Sequence, residues 1–220
     1  MPDYDQLNEQ IIQCRQCPRL VEWRERIGVE KRKSFQDEAY WAKPVPNFGD
    51  PQANGLIVGL APAAHGANRT GRQFTGDRSG DWLYRSLHRV GFANQPNATH
   101  IGDGLELKNI IVTPICHCAP PDNKPTREEI ANCKTFLDQT LALRDWRALL
   151  CLGNIGWTEL HKALAIRPIP KFTHGVESQL PDGRIILASF HPSQQNTFTG
   201  RLTEEMLDAV VQRFWDLLHT

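Results

Sequence analysis

Four stretches of the 220-residue chain hold side chains whose types and spacing support chemistry. The first is Cys14-Arg15-Gln16-Cys17-Pro18, two thiols flanking a tight turn. The second is the glycine- and alanine-rich run from Gly59 to Asp77, which contains Ala61, Ala64, His65, Arg69, Arg72 and Phe74 and ends on a carboxylate. The third begins at Cys116-His117-Cys118 and reaches Pro125 through Asn123. The fourth is His191-Pro192-Ser193, followed by Gln194, Gln195, Asn196 and Arg201. Carboxylate, imidazole and carboxamide are the groups that hold water, move protons and donate to developing charge.

The chain has six cysteines, and its first residues lack the basic and apolar regions of a signal peptide, so metal binding or catalysis is expected in preference to disulfides. Cys-x-x-Cys at a helix end, followed by proline, is a compact metal clip because the turn lets both sulfurs converge. The alternatives are two unrelated thiols or a redox pair. A thioredoxin-like pair follows a strand in a βαβ pattern, and none precedes this one. Cys151 lies in an apolar run and reads as a core thiol. Cys116 and Cys118 would share a face in an extended chain, and Cys133 lies in the next helix. The ligand set chosen is Cys14, Cys17, Cys118 and Cys133. Four thiolates suit zinc or a [4Fe–4S] cluster, and composition does not separate the two.

Apolar runs at 55–60, 109–115, 148–153 and 184–190 read as buried strands. Helices are expected at 5–14, 19–40, 79–91, 155–164 and 204–218, with another opened by the Thr126 to Glu129 capping box. Trp41 to Pro51 is an extended connector. Residues 167 to 184 are loop-rich, with a hairpin turn at Pro181-Asp182-Gly183. This alternation predicts an α/β fold, a three-layer α/β/α sandwich on a central four-stranded parallel sheet. Right-handed crossovers then place the 59–77, 113–125 and 191–203 loops on one sheet edge, where ligands bind. No repeat or linker divides residues 1–220, so one domain is expected.

Charged residues make up 23% of the chain, apolar ones 40%, and the formal net charge is zero. No overall basic footprint announces a nucleic-acid binder, although a local patch suffices. Lys31-Arg32-Lys33 reads as a solvated face. No apolar run approaches the ~20 residues needed to span a bilayer. The expected location is cytoplasmic.

Taken together, three motifs resemble those of family 5 (b-type) uracil-DNA glycosylases. They are Gly59-Leu-Ala-Pro-Ala-Ala-His-Gly66 extended through Phe74-Thr-Gly-Asp77, Cys118-Ala-Pro-Pro-Asp-Asn123-Lys-Pro125, and His191-Pro-Ser193 extended through Asn196 to Thr203. With Cys14-x-x-Cys17 the resemblance covers nearly the whole chain. It implies a four-stranded parallel sheet between helices, a [4Fe–4S] cluster on the four chosen cysteines, and hydrolysis of uracil's glycosidic bond in DNA. It also implies a broad range of deaminated or damaged bases, such as hypoxanthine, ethenocytosine or mismatched thymine. Ala61 stands where family 1 enzymes carry an aspartate, and the resemblance implies that Asp77 supplies that carboxylate instead.

On this reading Asp77 holds water and stabilises the sugar cation, His191 stabilises the leaving base, and Asn123 recognises the base or positions water. Gly59, Ala61, Ala64, His65 and Phe74 form the base pocket, with Phe74 stacking on the flipped base. Arg69, Arg72 and Arg201 contact phosphate, Ser193 also meets DNA, and the loop with Gln194, Gln195, Asn196 and Phe198 enters the minor groove. No lysine stands in a Schiff-base motif, so a monofunctional enzyme is expected. It would be a monomer acting on DNA at the nucleoid; the sequence names no sliding-clamp partner. The rival readings are a non-enzymatic metal-stabilised DNA-binding protein, a Ser193/His191 hydrolase lacking the Gly-x-Ser-x-Gly elbow, and a nucleotide binder lacking Gly-x-x-x-x-Gly-Lys.

Overall fold

The computed structural model describes residues 3–219; residues 1, 2 and 220 of the expected domain lie outside the described residues. The chain opens with α1 (Tyr4–Gln13), capped reciprocally by Asp3 and Gln6, which buries Leu7 and Ile11. After the Cys14 to Cys17 turn, α2 (Pro18–Glu30) starts on proline at its first turn and buries Leu20, Arg24 and Ile27.

The helix expected over 19–40 stops ten residues early. Lys31 takes φ 53°, and only a single 3₁₀ turn, Lys33–Phe35, follows. The cause is tertiary. Residues 41 and 42 return across α2 to bond the next loop, Trp41 N–H to the Arg69 carbonyl at 2.8 Å and Ala42 N–H to that of Asn68 at 3.0 Å. Gly28 permits the crossing, because a Cβ there would come within 2.6 Å of the Ala42 Cβ.

The sheet has six strands, not four. In chain order they are β1 (Phe48–Gly49), β2 (Gly55–Gly59), β3 (Ile110–Pro114), β4 (Ala148–Leu152), β5 (Glu177–Gln179) and β6 (Ile185–Ser189), arranged β1-β3-β2-β4-β6-β5. The four expected strands form the parallel centre, β3-β2-β4-β6. Each edge carries a short antiparallel strand. The connector before Pro51 supplies β1, where Gly49 brings backbone so close to β3 that a Cβ would sit 2.2 Å from the Ile110 carbonyl oxygen. The Pro181 to Gly183 turn folds β5 back on β6, closed by Leu180 N–H to the Arg184 carbonyl at 2.8 Å.

Every residue of β2, β3 and β4 is buried, as a parallel sheet covered on both faces requires. Alternate side chains face opposite layers. Ile57, Val112 and Leu150 pack against α4 (Arg78–Val90) and α8 (Glu204–His219). Leu56, Leu149 and Cys151 pack against α5 (Arg127–Ala142) and α6 (Asn154–Ala163). Cys151 is a core thiol, as its neighbours implied. A third, smaller cluster joins Leu7, Ile11 and Leu20 to Cys116, Cys118, Cys133 and Phe136. Among the described residues no helix is long and apolar enough to cross a membrane.

Leu150 is fully buried at the centre of β4. Leu150→Ala should cost about 2–5 kcal/mol, read as a lower denaturant midpoint with unchanged slope.

Candidate active site

The loops beyond β2, β3 and β6 enclose a cleft of about 530 Å³, to which Ala61, Phe74, Asp77, Asn123 and His191 all contribute. A second hollow of about 490 Å³ shares Asp77 and Asn123 with it and adds Ala64, His65 and Arg32. The three loops expected to share one edge therefore do so.

Asp77 ends the long loop and caps α4. Its Oδ1 accepts the Gly80 N–H at 3.0 Å. Burial raises its pKa; the Gly80 and Ser79 amides work the other way, and Asp81 adds to the rise. The second oxygen lies against Gly66, where a Cβ would come within 2.0 Å of Oδ2. Gly66 is thus needed for space. It was missed in the sequence, and its place directly after His65 in the first motif was the available signal.

Phe74 has φ 51°, a left-handed conformation that a bulky residue adopts only when its surroundings impose it. The buried Gln73 imposes it. Its side chain donates to the Val45 and Pro46 carbonyls at 3.0 and 3.2 Å, and its own carbonyl accepts the Tyr84 hydroxyl at 2.6 Å. The ring lies over Gly59, where a Cβ would be 3.0 Å from Phe74 Cε2. The helix start also crowds this turn, since a Cβ on Gly80 would meet the Phe74 carbonyl oxygen at 1.7 Å.

His191 follows β6, with its ring centroid 5.7 Å from that of Phe74 and the planes 30° apart. Burial drives its pKa down to about 4, so the imidazole is neutral at pH 7. Asn196 fixes this loop by donating to the His191 carbonyl at 2.8 Å. Ser193 caps the short helix α7 (Gln194–Phe198), its Oγ accepting the Asn196 N–H at 3.4 Å. Gln195 is exposed on the cleft wall, and Phe198 projects at 65% exposure beneath Arg78, 4.3 Å from ring to guanidinium. Asn123 sits exposed at the mouth with φ 56°, beside Asp122 at φ 54°. Gln194 also lines the cleft, as do Asp122 and Arg78, which were not singled out in the sequence.

His65 belongs to the second hollow. Its Nδ1 is 3.0 Å from the Tyr40 hydroxyl, and burial, then Arg32 and Arg69, lower its pKa.

Two of the three arginines expected on phosphate are instead used inside the protein. Arg69 is buried, bonds the His65 and Gly76 carbonyls at 2.8 Å each, pairs with Glu38 and stacks 3.9 Å from Phe35. Arg72 is buried in a two-pronged pair with Asp103, both contacts 2.8 Å, and donates to Thr75 Oγ1 at 2.9 Å. Burial alone would raise the Asp103 carboxyl; the Arg72 fork and the Leu105 and Thr99 amides hold it well below the usual carboxylate range. Neither guanidinium is free for DNA. Arg201 is exposed, 4.6 Å over the Phe190 ring.

The four chosen cysteines gather around one small hollow between α1, α2 and α5, and a fifth, Cys116, lines it as well. Among the described residues no group of three or more His, Cys, Asp or Glu is arranged for a single metal ion. The donors around the sulfurs fit a thiolate-bound centre. Arg24 Nη1 donates to Cys118 Sγ at 2.9 Å, the His117 amide to Cys133 Sγ at 3.3 Å and Asn132 Nδ2 to Cys17 Sγ at 3.6 Å. Burial pushes the Cys118 thiol up to about 12 and raises Cys17, so a metal's charge is what would deprotonate them.

Gly66→Ala should displace the Asp77 carboxylate while the circular dichroism spectrum stays native, and catalytic turnover at this cleft should fall with it. The Arg72–Asp103 pair sets a pH dependence. A depressed carboxyl stabilises the fold above its ordinary titration range and loses that contribution as pH falls. Wild type should therefore lose stability below about pH 4 more steeply than Asp103→Asn in acid denaturation.

Comparison with known proteins bears on the same residues. Residues 46–215 match the model of the uracil DNA glycosylase superfamily. A type-5 uracil-DNA glycosylase of Mycobacterium leprae is 50% identical over 209 residues, covering 93% of this chain and 91% of the relative. That of Thermus thermophilus is 47% identical, with 93% of each covered, and that of Pyrobaculum aerophilum 41% identical, with 96% and 91% covered. The chain therefore belongs to the uracil-DNA glycosylase superfamily, in its type-5 branch.

Proposed function

We propose that this protein is a monofunctional DNA glycosylase that hydrolyses the N-glycosidic bond of uracil in DNA and leaves an abasic site. The observation that carries this reading is the convergence of Asp77, Asn123 and His191, from three separate loops, on one cleft floored by Phe74. The type-5 names of the relatives support it.

A base stacked in a duplex is out of reach, so it must be flipped into the cleft. There Phe74 offers a ring face for stacking. His191, neutral and held on a rigid strand end, donates an N–H to a base oxygen as negative charge develops. Neutrality matters, because an imidazole that stays uncharged stabilises the departing anion without first protonating the base. Asp77 holds the attacking water and steadies the cationic sugar. Asn123 offers both donor and acceptor at the mouth. The loop carrying Ser193, Gln195, Asn196 and the exposed Phe198 fills the gap in the stack, with Arg201 near the backbone.

The alanine wall and cleft volume leave room for larger bases, which supports removal of hypoxanthine, ethenocytosine and mismatched thymine as well. Cys14, Cys17, Cys118 and Cys133 would hold a [4Fe–4S] cluster that ties α1 and α2 to α5 and supplies no redox step. The protein would act as a monomer at the nucleoid.

The test is base release from duplexes carrying uracil, hypoxanthine, thymine opposite guanine, or ethenocytosine, with alkali to reveal abasic sites. Binding without release from any of them supports the non-enzymatic DNA-binding reading instead. Asp77→Asn and His191→Ala should each slow uracil release on the order of a hundredfold or more while DNA binding persists. Wild-type activity should fall with acidification at a pH above the ordinary carboxylate range, because the Asp77 pKa is raised; the Asp77→Asn profile should lack that limb. Cys118→Ser should be purified without iron, whereas Cys116→Ser should retain it.

A further inference from the structure

Arg24 is 1% exposed and is among the largest fully buried side chains in the protein. Its Nη1 donates to Cys118 Sγ at 2.9 Å and its Nη2 to the Cys14 carbonyl at 3.3 Å. The nearby carboxylate, Glu25, stands 3.9 Å away and is engaged by Arg15 at the surface. Arg24 Nε has no partner among the described residues. A buried guanidinium without a hydrogen-bonded carboxylate is costly unless another anion faces it. The anions this geometry offers are sulfurs.

The other side of the same residue faces the active-site loop. The Arg24 carbonyl accepts from Asn68 Nδ2 at 3.3 Å, and that carboxamide also reaches the Ala64 carbonyl at 3.4 Å. Asn68 is fully buried in α3 (Ala67–Thr70), two residues beyond the Gly66 that makes room for Asp77. Cys118, Arg24, Asn68 and the 64–66 backbone thus form a continuous series of contacts from the cysteines to the water-holding carboxylate.

We infer that Arg24 is a positioning residue for both sites: its guanidinium balances the charge of metal-bound thiolates, and its carbonyl, through Asn68, fixes the loop under Asp77. The inference rests on the cysteine centre proposed above. It gives a metal that takes no part in hydrolysis a means of affecting the rate.

The experiment begins with wild type, purified anaerobically, before and after iron is removed with a chelator. Amide hydrogen exchange should accelerate at residues 63–70 after removal while β4 amides stay protected. Unchanged exchange at 63–70, or equal acceleration throughout the protein, overturns the link. Arg24→Met should lose iron to the chelator about tenfold faster or more, and Arg24→Lys should restore part of the retention. Asn68→Ala should keep iron and its visible spectrum while kcat for uracil release falls and KM holds. Arg24→Met retaining iron like wild type, or Asn68→Ala leaving kcat unchanged, overturns it. If Arg24→Met fails to fold, the exchange comparison on wild type still decides. Wild type that carries no iron overturns the cysteine centre itself, a result distinct from the failures above.

Discussion

The structure around the cleft depends on how one carboxylate is accommodated. Asp77 uses Oδ1 to cap α4 and leaves Oδ2 against the bare Cα of Gly66. A helix cap must sit at the first turn, so the carboxylate's position is fixed by α4, and α4 is fixed by packing Leu83, Tyr84 and Leu87 into the core. The carboxylate proposed to hold the water is thereby anchored to the sheet's hydrophobic layer, and loop flexibility does not blur its place. The same burial that secures it raises its pKa, and the Gly80 and Ser79 amides limit the rise.

Charge is arranged differently in the two halves of the site. The 59–77 loop is held in shape by guanidiniums turned inward, Arg69 on two carbonyls and Arg72 on Asp103. The histidine facing Phe74 is kept neutral. The loop's basic residues therefore brace the site from within, and on the proposed function attraction for DNA falls to exposed cations such as Arg78, which lines the cleft, and Arg201.

The sequence made the central architecture legible for a physical reason. Strands covered on both faces read as unbroken apolar runs, and their four positions place the loops on one edge. The edge strands were hidden, because Phe48–Gly49 and Glu177–Gln179 are too short and too polar to show a pattern and exist only through pairing. The end of α2 was hidden because it is set by residues 41 and 42 crossing back, a long-range contact. Asp77, Asn123 and His191 were found from their motifs, and all three line the cleft. Arg69 and Arg72 were misread because residue type announces charge but not whether Glu38 or Asp103 has already taken it. Cys116 was left out of the chosen ligand set, yet it lines the same hollow as the other four.

The contact between Phe74 and Gly59 carries a consequence for how this active site can diversify. The floor of the cleft is an aromatic ring resting on the sheet's own backbone, in a conformation locked by Gln73. Change there would disturb the core. The walls at Ala61, Ala63 and Ala64 present single methyl groups to the two hollows, although Ala61 also packs against the cluster around the cysteines. A larger side chain at Ala63 or Ala64 would narrow the hollows without touching the Phe74 floor, whereas one at Ala61 would also press on the packing around the cysteines. On the proposed function, the size of the base admitted is thus set by residues that can change separately from those that hold the carboxylate and the imidazole.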